Sequence, residues 1–374
     1  MIFYFKNKMR SEMKKIKLLF FILLIFALNL YAQQLIKPKN IILMIGDGMG
    51  LAQISAGKTY KGLLNLERMK VVGLLTTYSC DRYVTDSGAS ATAMSTGYKT
   101  KNVAIGVDCN GERRKTVLEY ANEIGKSTGV VVVCAITHAT PAAFVAHVPN
   151  RNMQIEIAEQ IAKEANTDIY LGAGWGWFLP KSEGGRRTDG QNLIDTLKKR
   201  GYVYISKPEE FYNLDMSKVN KLIGLFAENH PPYAPDRKPT LAEMTRKAIE
   251  FLSKDKDGFF LMVEGSQIDW AGHDNNSEQI LREVADFDDA VGVALDFAQR
   301  DGNTLVVVTA DHETGGYALV DGSVNDKKVE GKFVTKDHTG VMVPVFAFGP
   351  GAEAFAGFGD NTLIGKKIFE YLKK

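Results

Sequence analysis

Cysteine is nearly absent from this chain: Cys80, Cys109 and Cys134 are the only three among 374 residues. So few, and an odd number, do not make a disulfide framework, and the fold must rest on a packed core. Cys134 lies inside an apolar run and reads as a core residue, while the sequence leaves open whether Cys80 and Cys109 pair. Also lacking is an apolar run of about 20 residues, the length that spans a bilayer. The nearest approach, Leu18 to Leu30, follows Lys14, Lys15 and Lys17 and precedes Tyr31-Ala32-Gln33. That is the layout of a secretory signal peptide over residues 1–32, cleaved after Ala32, and it predicts a periplasmic or secreted protein without stable membrane insertion after processing.

Neither sign of charge dominates, with 46 Lys+Arg against 44 Asp+Glu and a formal charge of +2. Residues 1–32 hold six Lys/Arg and one Glu, so processing turns +2 into −3. A mildly acidic protein carries no basic field for nucleic acid. No Pro/Ser-rich linker, charge block, repeat or low-complexity tract divides the chain, which argues for one main domain over residues 33–374. Hydrophobic residues make up 45% and charged ones 24%, enough for a large core.

Four β-branched runs end in residues that bind metals. Asn40 to Ile45 leads into Gly46-Asp47-Gly48, Val130 to Ile136 into Thr137-His138-Ala139-Thr140, Phe259 to Val263 into Glu264-Gly265, and Thr304 to Thr309 into Ala310-Asp311-His312. Short Val/Ile/Leu runs bounded by glycine mark buried parallel strands, whose carboxyl ends form the ligand-binding rim of an α/β sheet. Between them, Thr116 to Ile124, Met153 to Ala165, Gln191 to Lys199, Thr240 to Leu252 and Ser277 to Gln299 have helical periodicity. The expected fold is α/β, a three-layer sandwich whose central, mostly parallel sheet is flanked by helices. Asp286, Asp288 and Asp289 on the last helix read as a solvated face with one or two buried contacts. Gly172 to Gly176 lacks dinucleotide-fingerprint spacing and reads as a tight turn after a strand.

Asp86-Ser87 stands before a small-residue helix, where free backbone N–H groups and the helix dipole favour an anion. Alone, the pair is an ordinary cap. Its company changes the weighting: Asp269 and His273 are four residues apart, Asp311 and His312 are adjacent, and His338 precedes the run Val341 to Phe348. Acid and imidazole pairs gathered at strand ends are what a bound metal would need.

These residues resemble the alkaline phosphatase family. The matching motifs are IGDGMG at 45–50, VTDSGASATAMSTG at 84–97, THATPAAFVAHVPNR at 137–151, VEGSQIDWAGH at 263–273, TADHETGG at 309–316 and DHTG at 337–340. The resemblance implies hydrolysis of phosphate monoesters through a covalent phosphoserine on Ser87, with two Zn2+ and one Mg2+ per subunit. Asp269, His273 and His338 would hold one zinc and Asp47, Asp311 and His312 the other. Asp47, Thr140 and Glu264 would hold magnesium, Arg151 would clamp the phosphate and Asp86 would orient Arg151. His138 and Trp270 stand where the best-known bacterial form has an aspartate and a lysine, and His138 is read as lying behind the ligands. The resemblance further implies a homodimer, a short crown-like insertion at about 319–336, and inorganic phosphate as product and inhibitor. A sulfatase would need a modifiable Cys or Ser in a Pro/Arg motif, which is absent near Ser87. A diesterase fits Arg151, Thr140 and Glu264 less well, and a binding protein without turnover would not need Ser87.

Overall fold

The computed structural model describes residues 37–373 together with 1, 9 and 12–23. Ala32 and most of the segment read as a signal peptide lie outside the described residues. Among those described, no helix is long and apolar enough to cross a membrane.

In chain order the strands are β1 (Asn40–Gly46), β2 (Val71–Thr76), β3 (Ser127–Ala135), β4 (Ile169–Ala173), β5 (Val203–Ile205), β6 (Leu222–Leu225), β7 (Phe259–Gly265) and β8 (Thr304–Thr309). They continue with β9 (Glu313–Thr314), β10 (Ala318–Ser323), β11 (Lys328–Lys332), β12 (His338–Thr339), β13 (Val343–Phe348) and β14 (Gly357–Asp360). Ten of them form one sheet in the order β14-β2-β13-β8-β1-β7-β3-β4-β6-β5. β13 runs antiparallel to both neighbours, and every other pairing in the sheet is parallel. Every residue of β1, β7 and β8 is buried, so both faces of the sheet centre are covered, as crossover helices require. The three-layer α/β architecture expected from the periodicity is the one observed.

Helix boundaries follow capping chemistry. Thr116 accepts from the Glu119 amide while the Glu119 side chain accepts from the Thr116 amide, and Thr240 with Glu243 does the same, so both threonines are caps and the helices start one residue later. The longest helix, Ser277–Asp301, is capped by the Asn276 side chain and stopped by left-handed Gly302. It is not simply solvated on its acidic side. Asp288 is fully buried, accepting from Lys61 Nζ at 2.6 Å and from the amides of Asn65 and Leu66, while Asp289 alone of the three is largely exposed. Asp286 is mostly buried beside Arg237, 3.3 Å away.

Gly174 adopts a left-handed turn directly after β4, as expected of that glycine-rich stretch. Cys80 and Cys109 form a disulfide, answering the question the sequence left open, and Cys134 is free and buried. β10 and β11 make a separate antiparallel hairpin with a bulge near Val320.

Register places the chemistry. Ile45 lies level with Glu264 on one side and Thr309 on the other, and Val132 is level with Glu264. Asp47 and Asp311, each two residues further on, therefore leave the same rim as Glu264 and the turn after β3, where His138 precedes the helix Ala139–Val145 that carries Thr140.

Candidate metal centre and active site

Three groups of donors meet at this rim: Asp269 with His273 and His338, Asp47 with Asp311 and His312, and Glu264 with His138 and Cys134. Within each, the ligand atoms lie within 4.8 Å of one another. The first group spans distant sequence because β9 pairs with β12, setting His338 opposite Thr314. Helix Gln267–His273 brings Asp269 and His273 onto one face, one turn apart. His273 Nε2 and His338 Nε2 stand 3.1 Å apart, and both lie within 3.5 Å of Asp269 Oδ1. Each ring bonds a backbone carbonyl through Nδ1, His273 that of Lys336 and His338 that of Thr85 at 3.0 Å. Donating from Nδ1 turns the Nε2 lone pairs toward the same point, as metal-binding histidines do.

In the second group, His312 Nε2 lies 3.2 Å from Asp311 Oδ2, 3.4 Å from Asp47 Oδ1 and 3.3 Å from Ser87 Oγ. His312 stacks on His338 with ring centroids 3.5 Å apart, which joins the two groups. Thr314 joins them again, its hydroxyl bonded to Asp269 Oδ1 and 3.2 Å from His312 Nδ1. Gly48 makes room for this: its φ is +73°, and a Cβ there would meet Asp269 Cα and Thr314 Oγ1 at 2.7 Å.

Ser87 opens the buried helix Ser87–Thr96, and Asp86 caps it by accepting from the Ala89 amide. The other oxygen of Asp86 accepts from Arg151 Nη1 at 2.9 Å, and that nitrogen lies 3.4 Å from Ser87 Oγ. Ser87, the Arg151 guanidinium and both histidine groups thus share one centre. His138 Nε2 lies 3.3 Å from Arg151 Nη2, so the ring accepts and is neutral, its pKa lowered to about 3 by burial and by Arg151. Trp270 packs edge-on to His138 at 5.9 Å and to His230 at 4.6 Å. All thirteen residues singled out in the sequence come to this centre.

Sequence reasoning missed two neighbours. His230, on an irregular loop, accepts from the Ala135 amide at 3.1 Å and packs against His138 and Trp270. Thr314 sat inside a matching motif with nothing to mark its bridging hydroxyl. A cavity of about 1090 Å³ elsewhere, lined by Tyr98, Lys99, Arg114 and Lys366 among others, contains none of the thirteen.

The electrostatics call for cations. Both oxygens of Asp47, Asp311 Oδ2, Glu264 Oε1 and Thr140 Oγ1 are buried without a hydrogen-bond partner. Such atoms cost several kcal/mol each unless something compensates them. Burial, then the charges of Asp311, Asp269 and Glu264, push Asp47 well above the usual carboxylate range. Burial also outweighs hydrogen bonding from Ser266 to hold Glu264 up at about 8. The His273 hydrogen bond to Asp269, against burial, lifts the imidazole to about 9. Four carboxylates this close cannot all ionise in a dry site without positive charge among them, and the imidazole–carboxylate and all-oxygen sets fit zinc and magnesium respectively.

Comparison with known proteins agrees with this geometry. The alkaline phosphatase family model matches residues 38–328. Alkaline phosphatase 3 of Bacillus subtilis is 39% identical, over 90% of this chain and 89% of its own length. The structure of alkaline phosphatase from the Antarctic bacterium TAB5 superposes with a TM-score of 0.84 at 41% identity, covering 91% of this chain and 99% of that one. A histidine-to-aspartate mutant of that enzyme, with Mg bound in its M3 site, matches at 40% identity, TM-score 0.83 and the same coverage.

Proposed function

We propose that this chain, which belongs to the alkaline phosphatase family and hydrolyses phosphate monoesters, does so with Ser87 as nucleophile and Arg151 as phosphate clamp. The observation that carries the assignment is Ser87 Oγ, buried at a helix start with His312 Nε2 at 3.3 Å and Arg151 Nη1 at 3.4 Å. Helix N–H groups and the guanidinium favour the same anion at the same place.

Asp269, His273 and His338 would hold one zinc, Asp47, Asp311 and His312 the second, and Asp47, Thr140 and Glu264 a magnesium. When bound, these ions supply the positive charge that lets a hydroxyl ionise near neutral pH and that offsets charge on the attacking and leaving oxygens. Ser87 Oγ attacks phosphorus, the bond to the leaving alcohol breaks, and the phosphoryl group rests on Ser87. Water then attacks phosphorus, Ser87 Oγ departs and regains a proton, and inorganic phosphate leaves. Throughout, Arg151 grips phosphoryl oxygens while Asp86 fixes its plane. His138 stands where a carboxylate would hold magnesium more firmly through water, so phosphate release is fast and activity depends on added magnesium.

Around this centre we assign residues 1–32 as a signal peptide, a periplasmic or secreted location, a homodimer, and the β10–β11 hairpin as a short crown. Product phosphate competes with substrate for Arg151. Ser87→Ala tests the core of the reading. Turnover of an aryl phosphate falls by at least about 10³-fold, while inorganic phosphate still binds by calorimetry. Turnover near the parent rate would overturn the assignment.

A further inference from the structure

Beside the two histidine groups lies a buried carboxylate that belongs to neither. Glu313 is 4% exposed and accepts four hydrogen bonds from neutral donors. Oε1 takes the side-chain amide of Gln53 at 2.8 Å and the backbone amide of Tyr317 at 3.0 Å. Oε2 takes the backbone amide of Gly316 at 3.2 Å and the hydroxyl of Thr339. Gly50 lets helix Leu51–Lys61, which carries Gln53, come this close, because a Cβ there would stand 2.5 Å from Glu313 Cγ. Three segments distant in sequence therefore meet on one side chain.

Its place in the ladder says what it acts on. β9 and β12 pair over two residues only, Thr314 with His338 and Glu313 with Thr339. Side chains alternate across a strand, so one face of this ladder carries His338 and Thr314 toward Asp269 and His312, while the other carries the Glu313–Thr339 pair. So short a ladder is marginal by itself. Residues 315–337 leave β9 for the β10–β11 hairpin and return at β12, and closing that loop costs entropy. Glu313 binds the start of the loop through Gly316 and Tyr317 and its end through Thr339, which offsets the cost at the point where His338 must stand still.

We propose that Glu313 is a positioning residue for the zinc held by Asp269, His273 and His338: by gripping the Thr339 hydroxyl it fixes His338 and so sets the affinity of that group for its ion. The inference rests on the reading of those three residues as a zinc site. Glu313 acts on the ion through Thr339 and His338, as outer hydrogen-bond partners of metal ligands do.

Equilibrium competition with a chromogenic chelator tests it without reference to turnover. Thr339→Val removes the hydroxyl and keeps the shape. One of the two zinc ions of each chain should then pass to the chelator at a roughly 10–100-fold lower concentration, while the other stays as in the parent. Glu313→Gln should shift the same ion by less, since its oxygen can still accept from Gln53 and Tyr317 and its nitrogen can donate to Thr339 Oγ1. His338→Ala removes the ligand itself and should leave one tightly held zinc. Adding Thr339→Val to that protein should change neither the count nor the chelator concentration that removes the ion. Parent-like retention of both ions in Thr339→Val and Glu313→Gln would overturn the proposal and leave the zinc site standing. A Thr339→Val effect of full size in the His338→Ala background would overturn it too, as the mark of general loosening. Parent protein that bound no zinc would overturn both readings.

Discussion

Asp86 performs two tasks with two oxygens, and substituting it separates them. Oδ1 accepts from the Ala89 amide at 3.0 Å, capping the helix of Ser87, and from the Val103 amide at 3.1 Å. Val103 is β-branched yet sits at φ +67°, and its carbonyl accepts from the Arg151 amide at 2.7 Å. Such backbone costs of order 1–3 kcal/mol and persists only when its surroundings hold it. Oδ2 accepts from Arg151 Nη1, both side chains being mostly buried. Asp86→Ala loses about 1 kcal/mol of capping, about 1 kcal/mol from the Val103 bond and about 1.5 kcal/mol from the charged bond to Arg151. The sum, about 3–4 kcal/mol, should be read from the midpoint of urea unfolding. Asn is as good a cap as Asp, so Asp86→Asn should keep the Oδ1 contacts and lose less than half as much stability. Both variants leave Arg151 unoriented, and the inhibition constant of inorganic phosphate should rise about tenfold in each, equivalent to about 1.4 kcal/mol. If Asn destabilised as much as Ala, the capping account would be wrong. Unchanged phosphate inhibition in both would refute the role in positioning Arg151.

The remaining expectations concern the joint between the histidine groups and the acid limb of stability. Thr314→Val removes the hydroxyl linking Asp269 to His312 without changing shape, and loss of such a bond typically weakens metal binding about 10–100-fold. Zinc transfer to a chromogenic chelator should quicken accordingly, and an unaltered rate would show the hydroxyl to be idle. Burial pushes Glu119 up, but the hydrogen bond and charge of His147, 2.9 Å away, outweigh it and hold the carboxyl at about 2 against a free value of 4.5. A depressed carboxyl contributes stability above its unfolded pKa, and that contribution fades as pH falls from about 4.5 through about 2. Glu119→Gln should therefore flatten the acid limb of the stability curve by on the order of 2–3 kcal/mol, and an acid limb as steep as the parent's would count against the pairing.

Much of the fold and site was legible because buried parallel strands leave little freedom in composition. β1, β3, β7 and β8 need apolar residues on both faces, so each appears as an uninterrupted run, and the first polar residue after it must stand at the rim. Where long-range partners decide the outcome, the residues were silent. The run ending at Phe348 reads as a strand, but its antiparallel direction comes from pairing with β2 and β8 at the far side of the sheet. Asp288 reads as a surface acid because its partner Lys61 lies 227 residues away. Cys80 and Cys109 carry no spacing that demands a bridge, and His230 belongs to no periodic element. Cys134 shows the limit most sharply. Alternation along β3 makes it core, and nothing in the run marks that its Sγ lies 3.5 Å from Glu264 Oε2.

The register shift between Val131 and Ala135 divides the rim into a part held by the ladder and a part held by side chains. Asp47, Glu264 and Asp311 are fixed by ladder register, Ile45 level with both Glu264 and Thr309, so moving one would break pairing along a whole strand. Cys134 lies in the irregular stretch of β3, and His138 and Thr140 follow at the start of helix Ala139–Val145, beside backbone held by the hydroxyl of Ser266, the ring of His230 and the side-chain amide of Gln267, which donates to Val133 O. Substitutions there alter donor type without disturbing the sheet. The two histidine groups are tied to the sheet and the third donor group to a few side-chain hydrogen bonds, so donor type at the end of β3 is what this scaffold can vary at least cost to folding.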